Sequence, residues 1–379
     1  MTQSVSSNSI VGIAASKLTG ALPAVSGAAL TNVVEGVYFN ASDPTISSNK
    51  SLGFLWANST SGEMFMCTDA TAGANVWTNV GSGSGNVAPY GWQGDVEFYM
   101  VGGVSGSTRV DTMDKVTFAS DSSSTDIGDF GATTSSCSGS HSDTAGWCAS
   151  GQFDSANSAA VKYFTFANAT TTVDHGTLND GNGHRRGAAG YSDGAYGYMA
   201  GGYVGVPIIG FITRYQYASA NQAVDLGDLT DARKPVPCQS TDHAYVIGGE
   251  GASPTTRISR FNFASSITLA QHGDLASASG QGDNSAGVSS TTHGYVGGHY
   301  STTHQKFSFA SANTTATLAN TTTSGHGHAQ GAGSTTYGYY VGGAPSTSTV
   351  DRFQFGSDND MTAITSLTQG RYGGTAHNN

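Results

Sequence analysis

Along most of this chain, apolar positions come in short strand-like phrases, and the phrases recur. Tyr99-Met100-Val101-Gly102-Gly103 is the first, followed by Tyr198-Met199-Ala200-Gly201-Gly202, Tyr245-Val246-Ile247-Gly248-Gly249, Tyr295-Val296-Gly297-Gly298 and Tyr339-Tyr340-Val341-Gly342-Gly343. Trp147-Cys148-Ala149-Ser150-Gly151 is a degraded copy with Ser for the first glycine. The closing glycines fall at 103, 151, 202, 249, 298 and 343, gaps of 48, 51, 47, 49 and 45. A fixed period in the range of about 20–50 residues marks a repeat architecture.

Each copy has the same four parts. A small-residue strand such as Arg186-Gly187-Ala188-Ala189-Gly190 precedes the Tyr-x-x-Gly-Gly strand. A third strand then alternates large apolar residues: Val116/Phe118, Phe164/Phe166, Tyr215/Tyr217, Phe261/Phe263, Phe307/Phe309 and Phe353/Phe355. A spacing of two puts both members of a pair on one face, hence into packing between sheets. The fourth strand ends in Phe130, Leu178, Leu229, Leu275 or Leu367, and the fifth copy departs with Thr321. Four short strands repeated six times predict a six-bladed β-propeller, in which each sheet covers the next. The paired glycines suit a strand end that needs positive φ and close approach of neighbouring backbone. Arg371-Tyr372-Gly373-Gly374-Thr375-Ala376 reads as a first strand, and the copy starting at Val96 lacks one. The C-terminal strand is therefore expected to enter the first sheet and close the array, leaving no open edge.

Residues 1–35 have irregular apolar spacing, with Leu18, Leu22 and Leu30 interrupted by Pro23 and glycines. This predicts an extended arm for assembly rather than a long helix. Residues 36–90 form a separate small β module and linker. Phe54 to Asp69 reads as two strands about a Thr-Ser-Gly turn, Asn75 to Val80 as a third, and Gly81-Ser82-Gly83-Ser84-Gly85 as a flexible joint. Trp56 and Trp77 are expected either to form its core or to offer an aromatic platform to sugar. The propeller is expected over 91–379.

Composition narrows the function. Charged residues are 11% of the 379, and net charge is −11 with no basic run, which argues against nucleic acid as a partner. No apolar run approaches 18 residues, so no membrane-spanning helix is expected. The N-terminus lacks a basic segment and a long apolar stretch, so synthesis in the cytoplasm without secretion is expected. Cys67, Cys137, Cys148 and Cys238 form no Cys-x-x-Cys pair and read as free thiols, although Cys137 and Cys148 could face each other across a hairpin.

Candidate chemistry is sparse. His326 and His328 could hold a transition metal from one side of a strand, but no third ligand is evident, so no cofactor is expected. His243 and His293 occupy a position where other copies have Tyr or Ala, the mark of packing. Asp358-Asn359-Asp360 reads as a polar turn, since the glycine and distant glutamate of a calcium loop are missing. Asp129, Asp228 and Asp274 recur before the last apolar residue and suggest a repeated turn hydrogen bond. No carboxylate pair, nucleophile elbow, P-loop or dinucleotide fingerprint stands out. Arg186, Arg233 and Arg371 could form a partial basic ring or simply pair with Asp180 and Asp231. One loop differs from its polar equivalents: Val204, Val206, Ile208, Ile209 and Phe211 make it a candidate docking loop for a partner chain.

The pattern of basic residue, apolar strand, Gly-Gly and later aromatic over residues 95–377 resembles the Kelch repeat. Gly128-Asp129-Phe130 and its equivalents stand where that family usually carries a Trp. The phrases Arg352-Phe353-Gln354-Phe355, Gly227-Asp228-Leu229-Thr230 and Thr292-His293-Gly294-Tyr295-Val296-Gly297-Gly298 resemble Kelch-like virion proteins of marine tailed phages, especially cyanophages. The Trp56 to Thr78 module and the Leu18-Thr19-Gly20-Ala21-Leu22-Pro23 arm look like tail-fibre-type sequence. The resemblance implies a non-enzymatic virion structural protein in a tail or capsid appendage. Its arm would join other virion proteins, it would form a homo-oligomer on the particle, and its propeller would serve host adsorption, on surface polysaccharide or protein, or assembly. The alternatives are a polysaccharide-degrading propeller enzyme of the virion and a cellular Kelch adaptor.

Overall fold

The computed structural model describes residues 37–80, 90–120, 124–154, 156–181, 184–204, 208–231, 234–250, 255–263, 267–276, 285–297, 304–311, 316–318, 327–357 and 361–379. The expected arm, the glycine-serine joint, Val206, Arg233, Thr321, His326 and Asp358–Asp360 lie outside them. The chain divides into two compact units after Pro89, one residue before the boundary expected from sequence. Among the described residues there is no helix, and every element is a short strand.

The N-terminal unit holds one four-stranded sheet of Tyr38–Asn40, Leu55–Asn58, Met64–Asp69 and Val76–Asn79, in that order. The last three pair antiparallel, as the turn at Thr60-Ser61-Gly62 predicts. The first strand, unforeseen in the sequence, pairs parallel with the second. Phe54, Trp56, Phe65, Cys67 and Trp77 form the core on one face.

The second unit holds six four-stranded sheets, here I to VI. Sheet I is Thr375–Asn378, Glu97–Ser105, Thr108–Thr117 and Thr125–Asp129. Sheet II is Ser138–His141, Ala145–Ala149, Ala160–Thr165 and Asn168–Thr177. Sheet III is Ala189–Ser192, Tyr196–Ala200, Phe211–Gln216 and Ala223–Asp228. Sheet IV is Lys234–Gln239, His243–Glu250, Arg257–Asn262 and Leu269–Asp274. Sheet V is Ala286–Ser289, His293–Gly297, His304–Ser308 and Ala316–Leu318. Sheet VI is Gln330–Gly333, Tyr337–Val341, Thr349–Gln354 and Thr362–Ser366. All neighbours within these sheets are antiparallel. The C-terminal strand joins sheet I as expected, with Thr375 opposite Val101 and His377 opposite Tyr99. A small extra sheet of Thr134–Ser135, Gln152–Phe153 and Ala156–Asn157 was not foreseen.

Packing between sheets follows one rule. The aromatic of each second strand packs on the alternating pair of the next sheet's third strand. Tyr99 stacks on Phe166 and tilts on Phe164; Trp147 stacks on Tyr217; Tyr198 meets Phe261 and Phe263. Tyr245 meets Phe307 and Phe309, and Tyr295 meets Phe353 and Phe355. Tyr339 of sheet VI meets Phe118 of sheet I. Each aromatic pair contributes about 0.5–1.5 kcal/mol beyond its buried area. The first strands also touch in sequence, I beside II and onward to VI, and VI beside I.

The paired glycines have left-handed backbone: φ is 60° and 117° at Gly102 and Gly103, and 65° and 132° at Gly342 and Gly343. A Cβ on Gly103 would lie 2.8 Å from the Tyr372 carbonyl, so both conformation and space require glycine there. In the degraded copy Ser150 adopts the same conformation, φ 55°, and its buried hydroxyl accepts from the Arg185 N–H at 3.0 Å.

Candidate functional site

The first strands are built of small residues because they approach one another edge to edge. A Cβ on Gly190 would come 2.1 Å from the Gly139 carbonyl, and one on Gly331 would come 1.9 Å from that of Gly287. Between the six strands remains a cavity of about 210 Å³, lined by residues from all six sheets. Among the described residues, none that lines it is Asp, Glu, Lys or Arg. Its walls are serines, glycines and alanines, with Gln239, Gln330, Asn378, His141 and Tyr191 among them.

Tyr90–Gly94 runs along the ends of the first strands of sheets VI, I and II. Trp92 lines the cavity, and its carbonyl accepts from Asn378 Nδ2 and from His141 Nε2, both at 3.0 Å. Gln93 Nε2 donates to the Ser334 carbonyl at 2.8 Å, Gly94 N–H to that of Gly333 at 2.8 Å, and the Tyr90 hydroxyl to that of His141 at 2.6 Å. These residues anchor the start of the unit to sheets I, II and VI. They lie between the joint and the first strand of the repeat, and no repeat periodicity points to them.

Burial holds two histidines near the cavity neutral. Desolvation pushes the His141 pKa down to about 4. His377 is fully buried; desolvation pushes it to about 3, against the raising effect of its bond to the Ser140 carbonyl. Its Nδ1–H donates to that carbonyl at 2.9 Å, which leaves Nε2 to accept from the Thr375 hydroxyl at 2.9 Å. Burial raises the thiols of Cys137 and Cys238 to about 12, so neither is a thiolate at neutral pH. All four cysteines are buried free thiols, Cys137 and Cys148 included.

The residues singled out from sequence are dispersed. Trp56 and Trp77 are buried, and their indole N–H groups donate to the Ser42 and Thr45 carbonyls at 2.8 and 3.1 Å. As a sugar platform they are therefore corrected: no ring face is free, because the module needs both for its core. In the 204–211 loop, Val204 is 40% exposed, while Ile208, Ile209 and Phe211 are half-buried. Ile208 bridges Tyr203, Ile209 N–H donates to the Gly202 carbonyl, and Phe211 opens the third strand of sheet III. His328 lines the cavity and lies against Tyr372. Among the described residues no cluster of three or more His, Cys, Asp or Glu could hold a metal.

Two assignments shift by a residue or more. The buried guanidinium of sheet III is Arg185, not Arg186; it donates to Thr213 Oγ1 at 2.6 Å, and Asp180 partly offsets the desolvation that lowers it to about 10. Arg186 instead lies over the Tyr203 ring. Arg371 is fully buried in a salt bridge of 2.9 Å with fully buried Asp114 and also donates to the Met100 carbonyl. Of the arginines expected to line one mouth, Arg371 is thus paired with a carboxylate and Arg186 is held by a ring, while Asp231, expected as a partner, pairs with Arg257 at 2.8 Å. The repeated turn bond is made by Asp126, Asp174 and Asp225, whose Oδ1 accepts from Gly128, Gly176 and Gly227 at 2.8–2.9 Å. Of the three expected in that role, Asp129 and Asp228 are exposed, and Asp274 accepts from Thr256 Oγ1 at 3.3 Å and Gln271 Nε2 at 3.2 Å. The signal was present as Asp-x-Gly: the glycine takes φ of 106–126° at a β-bulge and needs its N–H capped.

Compared with known protein families and with characterised protein sequences, the chain matches none. Among the described residues no helix is long and apolar enough to cross a membrane.

Proposed function

We propose that residues 90–379 form a closed six-bladed β-propeller and that the chain is a non-enzymatic structural protein of a phage virion. The propeller reading is supported by the order of packing. Six aromatic contacts and six first-strand contacts run from sheet to sheet and from VI back to I, with the C-terminal strand inside sheet I.

The observation that carries the non-catalytic reading is the neutral cavity. Among the described residues its lining has no carboxylate pair for acid–base work, its thiols are held protonated, and its His141 is held neutral. The virion reading rests on the Kelch-like and fibre-like phrases of the sequence. On it, residues 1–35 join the chain to other virion proteins, the chain is a homo-oligomer of an appendage, and the propeller contacts host polysaccharide or protein or packs in assembly.

Three measurements test this. Mass spectrometry of purified phage particles should find the chain at structural stoichiometry; its absence would sink the virion reading. A reducing-sugar assay on host surface polysaccharide should stay at background; turnover would replace the reading with the degrading enzyme. Ile208→Ser with Ile209→Ser should lower incorporation into particles without lowering the melting temperature, and unchanged incorporation would remove the loop as a docking element.

A further inference from the structure

We propose that the cavity between the six first strands is a binding site for one neutral, monosaccharide-sized polyol. The proposal goes beyond the virion reading and does not depend on it; it depends on the arrangement of the six sheets.

Register sets the chemistry of the wall. In an antiparallel pair, alternate residues turn their peptide groups to the partner and away from it. Asp193 N–H donates to the Tyr196 carbonyl, and Ser240, Ser290 and Ser334 bond their second strands in the same way. Counting back by twos from these bonds, Ser192, Gln239, Ser289 and Gly333 turn their peptide groups to the free edge, as do Gly190, Pro237, Gly287 and Gly331. Gly139 of sheet II and Ala376 of sheet I occupy the same position as this second set.

The two layers differ in what satisfies them. Nearest Trp92, neighbouring side chains cap the edge. Gln239 bonds both N–H and carbonyl of Ser192, Ser289 Oγ accepts from Gln239 N–H, and Asn378 Oδ1 accepts from Gly333 N–H. In the next layer Gly139, Gly190, Gly287, Gly331 and Ala376 have no side chain that could cap the neighbour. These residues and Pro237 line the cavity with their free edges, and the carbonyls of Gly139, Pro237 and Gly287 also lie against the glycine of the next first strand. Buried peptide groups need partners.

The space would take about seven waters at about 30 Å³ each, or one solute that replaces them. A solute with hydroxyls around its rim donates and accepts at every position, as a wall of alternating N–H and C=O requires. A charged solute would be desolvated with no counter-charge among the described lining residues, which is costly. The cavity thus selects against sugar acids and amines and for neutral sugars.

The test is titration of the full chain with glucose, galactose and mannose, followed by amide NMR, with glucuronate and glucosamine as charged controls. The expected result is saturable shifts at Gly139, Gly190, Gly287 and Gly331 for at least one neutral hexose, at concentrations up to tens of millimolar. Gln330→Phe, which adds bulk at the cavity wall, should weaken that binding by about tenfold or more. Unmoved glycine amides with all three hexoses would overturn the proposal, as would equal shifts with the charged controls. The wild-type titration decides even if the variant does not fold. Shifts confined to other parts of the chain would also overturn it, while leaving the virion reading untouched.

Discussion

The N-terminal sheet and the second strands of sheets I to VI start from similar sequence and end in different environments. In the N-terminal sheet, Met64 to Asp69 alternates exposed and buried at its first four positions. Trp56 and Phe65 face the core, while Phe39, 70% exposed, pairs across Ala57 with Met64 on the opposite face, beside Met66. In sheet II every residue of Ala145–Ala149 is buried, and the same holds for Glu97 to Gly103 of sheet I. A lone sheet has one covered face; a sheet between two others has two. The repeat therefore needs apolar side chains in both directions, and the N-terminal module needs them in one.

The sharpest way to break this comparison is to open the proposed cycle of sheets. Ending the chain at Gly370 removes the first strand of sheet I with Arg371 and His377. We expect loss of cooperative folding of residues 90–379 by circular dichroism and limited proteolysis, and a retained cooperative melt would refute closure. Arg371→Met leaves the Asp114 carboxylate buried without its cation, held among the described residues only by Thr368, and should cost about 3–5 kcal/mol in urea unfolding. Asp114→Asn added to it should recover part of that loss. Trp77→Ala should cost the N-terminal unit a similar 3–5 kcal/mol, with the unfolding transition of residues 90–379 unmoved; a shared shift would mean that the units fold as one.

Acid should act next, through His377. It is neutral in the folded chain, and the unfolded chain takes up a proton at a pKa of about 6.5. Because its folded value is lowered, its contribution is complete above about pH 6.5 and is lost as pH falls toward about 3. At pH 5 the loss should be about 2 kcal/mol; urea midpoints that do not fall between pH 7 and pH 5 would contradict this. The smallest effect should come from the exposed face: Phe39→Ser and Met66→Ser should each change stability by no more than about 0.5 kcal/mol. Met199→Ala, buried between sheets II and III, should cost about 2–5 kcal/mol. Equal costs would show that the exposed face is covered in solution.

Much of the repeated unit was legible because its markers are local. Tyr-x-x-Gly-Gly and the aromatic pairs lie within single strands, and Arg371 to Ala376 stands out as a first strand lacking its own repeat. The cavity was less legible. Trp92 precedes the repeat and so has no copies to align, and the choice of Arg185 over its neighbour depends on which side of the strand faces Thr213. The parallel strand Tyr38–Asn40 is three residues long, too short for its period to register.

By itself the sequence determined the six four-strand repeats of the second unit and the pairing of the C-terminal strand with the first of them. These follow from side-chain alternation and from glycines that only one backbone shape can use. Only the tertiary structure decided which peptide edges face one another across the cavity, which arginine is buried and which aromatic faces are spent on packing. Those depend on register and approach between segments far apart in the chain, where a shift of one residue exchanges inside for outside.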